Sequence, residues 1–214
     1  MGTLQIIVGS TRLTRAADLV LPWVLGVAEA NPAFDVEVLD LRDWPLPMFG
    51  EHMGSIGDFR NPSYSEPIVK RWNETVKQGD AYLVITPEYN HSVPGVLKNA
   101  FDNVFVSFAL RNKPVASIGY STGVAAGARA IEHLAHIIIE ADAVPLRNTV
   151  LIPFVATAFV DGVPKDPMTQ IALDVVLQDL EWWSRNLARA RAEGELVPGV
   201  RRARDALAAL AERA

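Results

Sequence analysis

Cysteine is missing from all 214 residues. That excludes a disulfide scaffold, thiolate zinc sites, Cys-ligated iron–sulfur clusters and a cysteine nucleophile. It also suits a reducing compartment. No signal-peptide pattern precedes Arg12 and Arg15, so a cytoplasmic location is expected. No run approaches the roughly 20 apolar residues of a membrane span; Ile137-Ile138-Ile139 stops at Glu140. Positive charge is not in surplus. The 20 Lys and Arg face 25 Asp and Glu, a net charge of −5, which leaves no electrostatic footprint for nucleic acid. Histidine is scarce, with four copies. His133 and His136 share a helix face, but no HExxH or carboxylate–histidine set accompanies them, so no metal site is expected. Half the residues are hydrophobic and 21% are charged, ordinary values for a folded globular chain.

Short apolar runs alternate with helical periodicity. Strands are expected at 4–8, 34–39, 81–86, 113–120 and 149–154, and helices at 14–30, 65–78, 94–108, 127–140 and 168–191. Phe34, Val36 and Val38 alternate with Asp35 and Glu37, the pattern of a strand with one wet face at a sheet edge. Residues 81–86 (AYLVIT) are almost continuously apolar, as a central parallel strand requires. Five strands alternating with helices give an α/β fold, a doubly wound five-stranded parallel sheet of order 2-1-3-4-5 with helices on both faces. Residues 1–192 are expected to form that domain, with 193–214 as a helical extension. Ligands of such sheets sit at the carboxyl ends of the strands, at the topological switch point.

Three loops end there. The first, Gly9-Ser10-Thr11-Arg12-Leu13-Thr14-Arg15, places two hydroxyls and two guanidiniums before a helix N-terminus, where unpaired N–H groups favour an anion. It is neither GxxxxGK[ST] nor GxGxxG. An ordinary helix cap is the alternative. The second, Thr86 to Gly95, is stiffened by Pro87, Pro94 and Gly95, and can hold backbone groups against a flat ring or simply turn the chain. The third, Gly119 to Gly127, contains GxSxG around Ser121 in strand–turn–helix context, the nucleophile elbow of α/β-hydrolases. That order needs a later histidine, and none follows His136. The small residues more simply allow a close backbone approach.

Taken together, GSTRLTR at 9–15, TPEYNHSVPGVLKNAFDN at 86–103 and GYSTGVAAGARAIEHL at 119–134 resemble the NADPH-dependent FMN reductases. This flavodoxin-like family includes quinone, azo-dye and chromate reductases. The resemblance covers about residues 4–155, and PEYN followed by PGxLKNAxD is its most specific part. It implies bound FMN, with NADPH or NADH as co-substrate. Ser10, Thr11, Arg12 and Arg15 would hold the phosphate. Pro87, Glu88, Tyr89 and Asn90 would line the isoalloxazine, and Ser121, Thr122 and Gly123 would close its pyrimidine side. His91 is the candidate substrate contact. Many members carry Ser where Arg15 stands. The cofactor does the hydride chemistry and the protein orients it, so no catalytic residue is named. The implied activity is ping-pong reduction of quinones, azo compounds, metal oxyanions or free flavin. A non-enzymatic flavodoxin-type carrier and a Ser121 esterase are the alternatives.

Other stretches bear on assembly. Residues 43–67 form a long loop rich in Trp44, Met48, Phe49, Phe59 and Tyr64, which the resemblance puts near the flavin mouth and a subunit interface. Leu97, Ala100, Phe101, Val104, Phe105 and Phe108 give the helix after the third strand a wide apolar face. From it a homodimer or homotetramer is expected, through residues 94–110 and the 43–67 loop. The tail from Arg185 holds seven arginines and four acids, with an amphipathic helix expected at 199–213. Neither nucleic acid nor membrane is an expected partner.

Overall fold

The computed structural model describes residues 1–58, 61–104 and 107–212. Its parallel sheet is built from β1 (Gly2–Val8), β2 (Phe34–Asp40), β3 (Ala81–Pro87), β4 (Pro114–Tyr120), β5 (Val144–Pro145) and β6 (Val150–Ile152). The order is β2-β1-β3-β4-β5, with β6 also on β4. β3 and β4 are buried along their whole length, whereas β2 exposes Asp35 at the edge. One position departs from expectation. The fifth place is shared by two fragments: Val144 and Pro145 pair with Pro114 and Val115, and Val150–Ile152 pair with Ile118–Tyr120. Pro145 donates no ladder hydrogen bond, so the strand breaks there and resumes.

The period-2 alternation sorts each strand between two cores. Leu4, Ile6, Val8, Leu83 and Ile85 pack with α1 (Ala17–Glu29) and α6 (Pro167–Gly194). Ile7, Tyr82 and Val84 pack with α3 (Pro67–Gln78), α4 (Gly95–Asp102) and α5 (Ala128–Glu140). A short α2 (Met53–Ile56) interrupts the 43–67 loop, and a β7–β8 hairpin (Phe159–Val160, Val163–Pro164) precedes α6. Asp166 caps α6 by accepting from the Met168 N–H at 2.9 Å, with Pro167 as the first helical residue. α7 (Gly199–Ala211) buries none of its residues. Among the described residues no helix is long and apolar enough to cross a membrane.

Two helical expectations are corrected. The first helix starts at Ala17 rather than at 14, which leaves Arg15 in the loop before it. The helix after β3 stops at Asp102 rather than at 108. Of the apolar residues expected on it, Leu97, Ala100, Phe101 and Val104 are buried in the α3–α5 core, whereas Phe108 is half-buried. Phe59 and Phe105 lie outside the described residues. Exposed apolar side chains cluster elsewhere, at Met168, Ile171, Val175 and Trp182 on α6 and at Val200, Leu207 and Leu210 on α7. Residues 44–49 of the 43–67 loop are pinned to α3 and α4. Trp44 meets Trp72 edge-on with centroids 5.0 Å apart, and Asn99 donates to Pro47 O at 2.9 Å and accepts from Phe49 N–H at 2.9 Å.

Candidate functional site

The loop after β1 separates its donors from its acceptors. Gly9 donates to Ile85 O at 2.8 Å, and a Cβ there would meet Leu97 Cδ2 at 2.9 Å, so α4 crosses close beneath it. Beyond Gly9 the chain leaves the sheet. Among the described residues, the N–H groups of Ser10, Thr11, Arg12, Leu13 and Thr14 donate to no protein acceptor. Three carbonyls of the same loop are taken. Arg15 Nη1 reaches Ser10 O at 2.5 Å, and Arg42 Nη2 donates to Arg12 O and, at 3.1 Å, to Leu13 O. With those carbonyls held back and its N–H groups open at the N-terminal side of α1, the loop is an anion seat made of backbone.

Arg15 is the brace. Its guanidinium grips the Asp40 carboxylate with both Nη atoms, and Nε donates to Asp18 Oδ1 at 2.8 Å. Asp40 ends β2 directly across from Val8 in the ladder, so the fold delivers the carboxylate to the foot of the loop. The Asp40 bonds drive the Arg15 pKa above its usual range against the cost of burial. Burial alone would raise the Asp40 carboxyl, but Arg15 and the Arg42 N–H outweigh it and hold the group below its usual range. The helix expected from residue 14 would have contained Arg15, which instead sits in the loop before α1. Arg15 is buried and Arg12 exposed. Arg12 lies over the Tyr89 ring, 5.6 Å from its centroid. Asp18, Asp40 and Arg42 are absent from the sequence reading. The only signal for Asp40 and Arg42 was a run of acids and an arginine at the end of the edge strand, and for Asp18 an acid in the first turn of α1.

The loop after β3 is a rigid turn. Tyr89 and Ser92 exchange backbone hydrogen bonds of 2.8 and 3.0 Å, while Asn90 and His91 take positive φ of 49° and 64° between them, the geometry of a tight primed turn. Asn90 and His91 are exposed at its tip. Tyr89 Oη bonds Ser10 Oγ at 2.8 Å, which ties this loop to the first. Glu88 turns inward. Its Oε1 accepts from Arg129 Nε at 2.6 Å, and its Oε2 is buried without a partner. His133 Nδ1 lies 2.9 Å from Ser92 Oγ and so pins the turn to α5.

The loop after β4 folds tightly on itself. Gly127 has φ of +85°, and a Cβ there would come 2.6 Å from Tyr120 N, a clash that only glycine avoids. Ser121 Oγ donates to Gly123 O at 2.9 Å, and Ser121 O accepts from Val155 N–H at 3.0 Å. His133 is committed to Ser92, so Ser121 has no general base and the hydrolase arrangement is absent among the described residues. Ser121, Thr122 and Gly123 share the carboxyl end of the sheet with the other two loops, but no described hydrogen bond joins them to Pro87, Glu88, Tyr89 or Asn90. Tyr120, paired with Pro87 in the ladder, buries its hydroxyl. Burial raises its pKa, and Tyr89, Ser10, Arg15 and the Ala17 backbone also act on it. A cavity of about 320 Å3 opens beside the first loop, walled by Thr11, Arg42, Trp44, Leu46, Val96 and Asn99.

FMN fits this arrangement on three observations. The backbone seat asks for a phosphate-like anion. The buried Tyr120 hydroxyl lies beside Ser10 and the Ala17 N–H, at the foot of the same loop. The orphaned Glu88 Oε2 adds a hydrogen-bond acceptor at the start of the next loop. Comparison with known proteins agrees. The family model for NADPH-dependent FMN reductase matches residues 3–157. An NAD(P)H-dependent FMN reductase of Pseudomonas aeruginosa is 33% identical over 165 residues, 73% of this chain and 82% of that protein. One of Schizosaccharomyces pombe is 31% identical over 115 residues, 54% of this chain and 56% of that protein, so that match spans about half the relative's length. In fold, the chain is similar to the flavoenzyme NAD(P)H:(acceptor) oxidoreductase of Paracoccus denitrificans, with a TM-score of 0.69, 24% identity, and cover of 87% of this chain and 98% of that one. With a family match that spans every strand of its parallel sheet, the chain belongs to the NADPH-dependent FMN reductases, enzymes that carry FMN and use NAD(P)H.

Proposed function

We propose that this chain passes hydride from NADPH or NADH to a small acceptor by ping-pong turnover through bound FMN, the acceptor classes being quinones, azo compounds, metal oxyanions and free flavin. The observation that carries the reading is the row of open N–H groups from Ser10 to Thr14. FMN, when bound, supplies hydride uptake and electron delivery. The residues supply binding and orientation. Ser10, Thr11 and the loop N–H groups take the phosphate, and exposed Arg12 adds charge at its rim. Arg15 works through the loop: with Asp40 and Arg42 it holds the carbonyls away from the anion. Pro87, Glu88, Tyr89 and Asn90 form one wall for the ring on a turn that His133 keeps still. Glu88 Oε2 offers an acceptor to a ring N–H. Ser121, Thr122 and Gly123 approach the pyrimidine side with backbone atoms. His91, at the exposed tip, meets the arriving substrate.

The test is anaerobic. FMN-saturated protein is mixed with NADPH or NADH, the loss of flavin colour is followed, and each acceptor is then added in turn. Bleaching followed by recovery of colour with at least one acceptor is the expected result. A protein that leaves FMN fluorescence unquenched at micromolar concentration refutes the cofactor. Bleaching with no recovery from any acceptor refutes the turnover.

For the homodimer or homotetramer expected from the sequence, the supported surface is α6 and α7 rather than α4. Met168, Ile171, Val175 and Trp182 are exposed on α6 at spacings of three, four and seven. Asp174, Asp179 and Glu181 flank that stripe, whereas α7 carries Arg201, Arg202 and Arg204 beside its own exposed stripe. The α7 of a second copy, laid on α6, satisfies both apolar faces and both charges. Trp182→Glu should lower the association seen by sedimentation, and Val96→Glu on α4 should not.

A further inference from the structure

The amino ends of the strands hold a second polar cavity, of about 360 Å3, across the whole sheet from the flavin loops. Lys77 in the last turn of α3, Arg111 and Lys113 before β4, Arg191 late in α6 and Arg201 on α7 all line it, with Glu195 as the one acidic lining residue. Two of the cations are paired: Arg111 with Glu195 at 3.0 Å and Arg191 with Asp80 at 3.1 Å. Among the described residues three positive charges are left over, in a chain whose net charge is −5.

Two atoms in this cavity are unfinished. Lys113 keeps only 7% of its surface exposed, yet its Nζ donates to Lys77 O at 2.7 Å and Tyr82 Oη at 3.2 Å and touches no carboxylate. A buried ammonium without a counter-ion is costly. Burial and then the nearby Arg191 push its pKa down to about 8, while Asp80 and Glu195 pull the other way and Lys77 adds to the depression. Arg111 Nε is buried with no partner. The negative end of α3 explains one contact, since Lys113 holds the Lys77 carbonyl in its last turn. It does not explain Arg111 Nε, the surplus of charge or the open volume.

We propose that this cavity binds a small phosphate ligand carrying a diphosphate group, separately from the flavin site. Guanidinium forks and an ammonium match phosphate oxygens, and a diphosphate supplies enough charge to offset the surplus. Phe108, whose ring lies beneath the Arg111 guanidinium at 5.7 Å, forms part of the wall. The diphosphate is either free pyrophosphate or part of a nucleotide.

Calorimetric titration of the FMN-saturated protein with inorganic pyrophosphate, ADP and sulfate at constant ionic strength tests this. Saturable pyrophosphate binding is expected, with sulfate much weaker. Charge-assisted bonds of roughly 1.5–3 kcal/mol correspond to about a 10- to 150-fold loss on removing one. Lys113→Met should therefore weaken pyrophosphate at least about 10-fold. If Lys113→Met lowers the melting temperature, the Lys77→Gln/Arg201→Gln double variant, which leaves the buried groups in place, carries the same expectation. ADP binding tighter than pyrophosphate identifies a nucleotide; equal or weaker ADP binding identifies the free diphosphate. Absence of saturable binding by either ligand at millimolar concentration overturns the proposal. So does binding that both variants leave intact and Arg12→Ala abolishes, because that places the diphosphate on the first loop instead.

Discussion

At the carboxyl ends of the strands, three arginines are neutralised by carboxylates and exposed Arg12 is not: Arg15 pairs with Asp40 and Asp18, Arg42 with Asp18, and Arg129 with Glu88. At the amino ends, five cationic side chains share two carboxylates. The difference follows from the direction of the chain. Helices in a parallel α/β sheet point their N-termini toward the carboxyl ends of the strands, so that end can obtain positive potential from backbone N–H groups alone. Its arginines are then free to act as braces on carbonyls. The opposite end receives helix C-termini, and any positive potential there has to come from side chains. A cation in the sequence therefore means different things at the two ends of one sheet.

The largest effect should come from removing a brace. Arg15→Met leaves Asp40 and Ser10 O without their partner in a buried setting, a loss of about 3 kcal/mol or more. The melting temperature should fall, and FMN affinity with it, because the loop carbonyls are released. Chemical denaturation of the FMN-free protein isolates the stability part. A variant as stable as the wild type would break the comparison, for it would mean that Arg15 is a surface charge after all.

At the other end the expected effect depends on pH. The Lys113 ammonium has an ordinary value of 10.5 and is pushed down to about 8 in the folded chain. Between those values the unfolded chain holds a proton that the folded chain has released, so stability rises with pH through that window. Below about pH 8 both states are protonated and the full cost of burying the charge is present. The span corresponds to about 3 kcal/mol at most. Tyr82 and Tyr120, buried and raised above their ordinary 10.0, act in the opposite sense at higher pH. The clean measurement is therefore the stability difference between wild type and Lys113→Met from pH 7 to about 9.5, below the midpoint at which either tyrosine titrates. The difference should move in favour of the wild type as pH rises. A difference that stays flat would give Lys113 the properties of a solvated lysine.

Arg12 tests the other half of the comparison, since it is exposed and makes no ion pair among the described residues. It should matter to the ligand and not to the fold. An exposed charge is screened and worth at most about 1 kcal/mol, so Arg12→Ala should weaken FMN roughly fivefold. Riboflavin, which lacks the phosphate, should bind the variant as it binds the wild type, and the melting curve should not move. Equal losses for both flavins would show that Arg12 shapes the ring site through Tyr89 instead.

The sheet order and the three loops were legible because they depend on local pattern. Continuous apolar runs at Ala81–Thr86 and Pro114–Tyr120 mark central strands, and the edge alternation at Phe34–Asp40 marks β2. What escaped was long-range pairing. Nothing local says that Arg15 will find Asp40, because that contact depends on the register that sets Val8 opposite Asp40. The apolar richness around α4 was real, but whether such residues face a neighbouring subunit or their own core is decided by where α3 packs, not by periodicity. The break in the fifth strand was written in Pro145, although its consequence depends on which neighbour offers a carbonyl. Lys113 escaped for the same reason: a lysine at the start of a strand looks solvated until the end of α6 is laid over it.

Ser121 gives the smallest effect, and the comparison makes the expectation sharp. If the carboxyl end works through backbone groups, a side chain whose hydrogen bonds stay within its own loop should be dispensable. Ser121 Oγ donates to Gly123 O at 2.9 Å and accepts from Gly123 N–H at 3.3 Å. Neutral hydrogen bonds of this kind contribute about 1 kcal/mol each, and these two hold a turn that Gly127 and the Val155 N–H already fix. Ser121→Ala should therefore cost no more than about 1 kcal/mol of stability and leave FMN affinity within roughly fivefold of wild type. Turnover of a p-nitrophenyl ester should be absent before and after the substitution, because no histidine is bonded to the hydroxyl. Ester turnover in the wild type that vanishes in Ser121→Ala would restore the serine as a nucleophile. A large loss of FMN with stability unchanged would show that this loop binds through the Ser121 side chain.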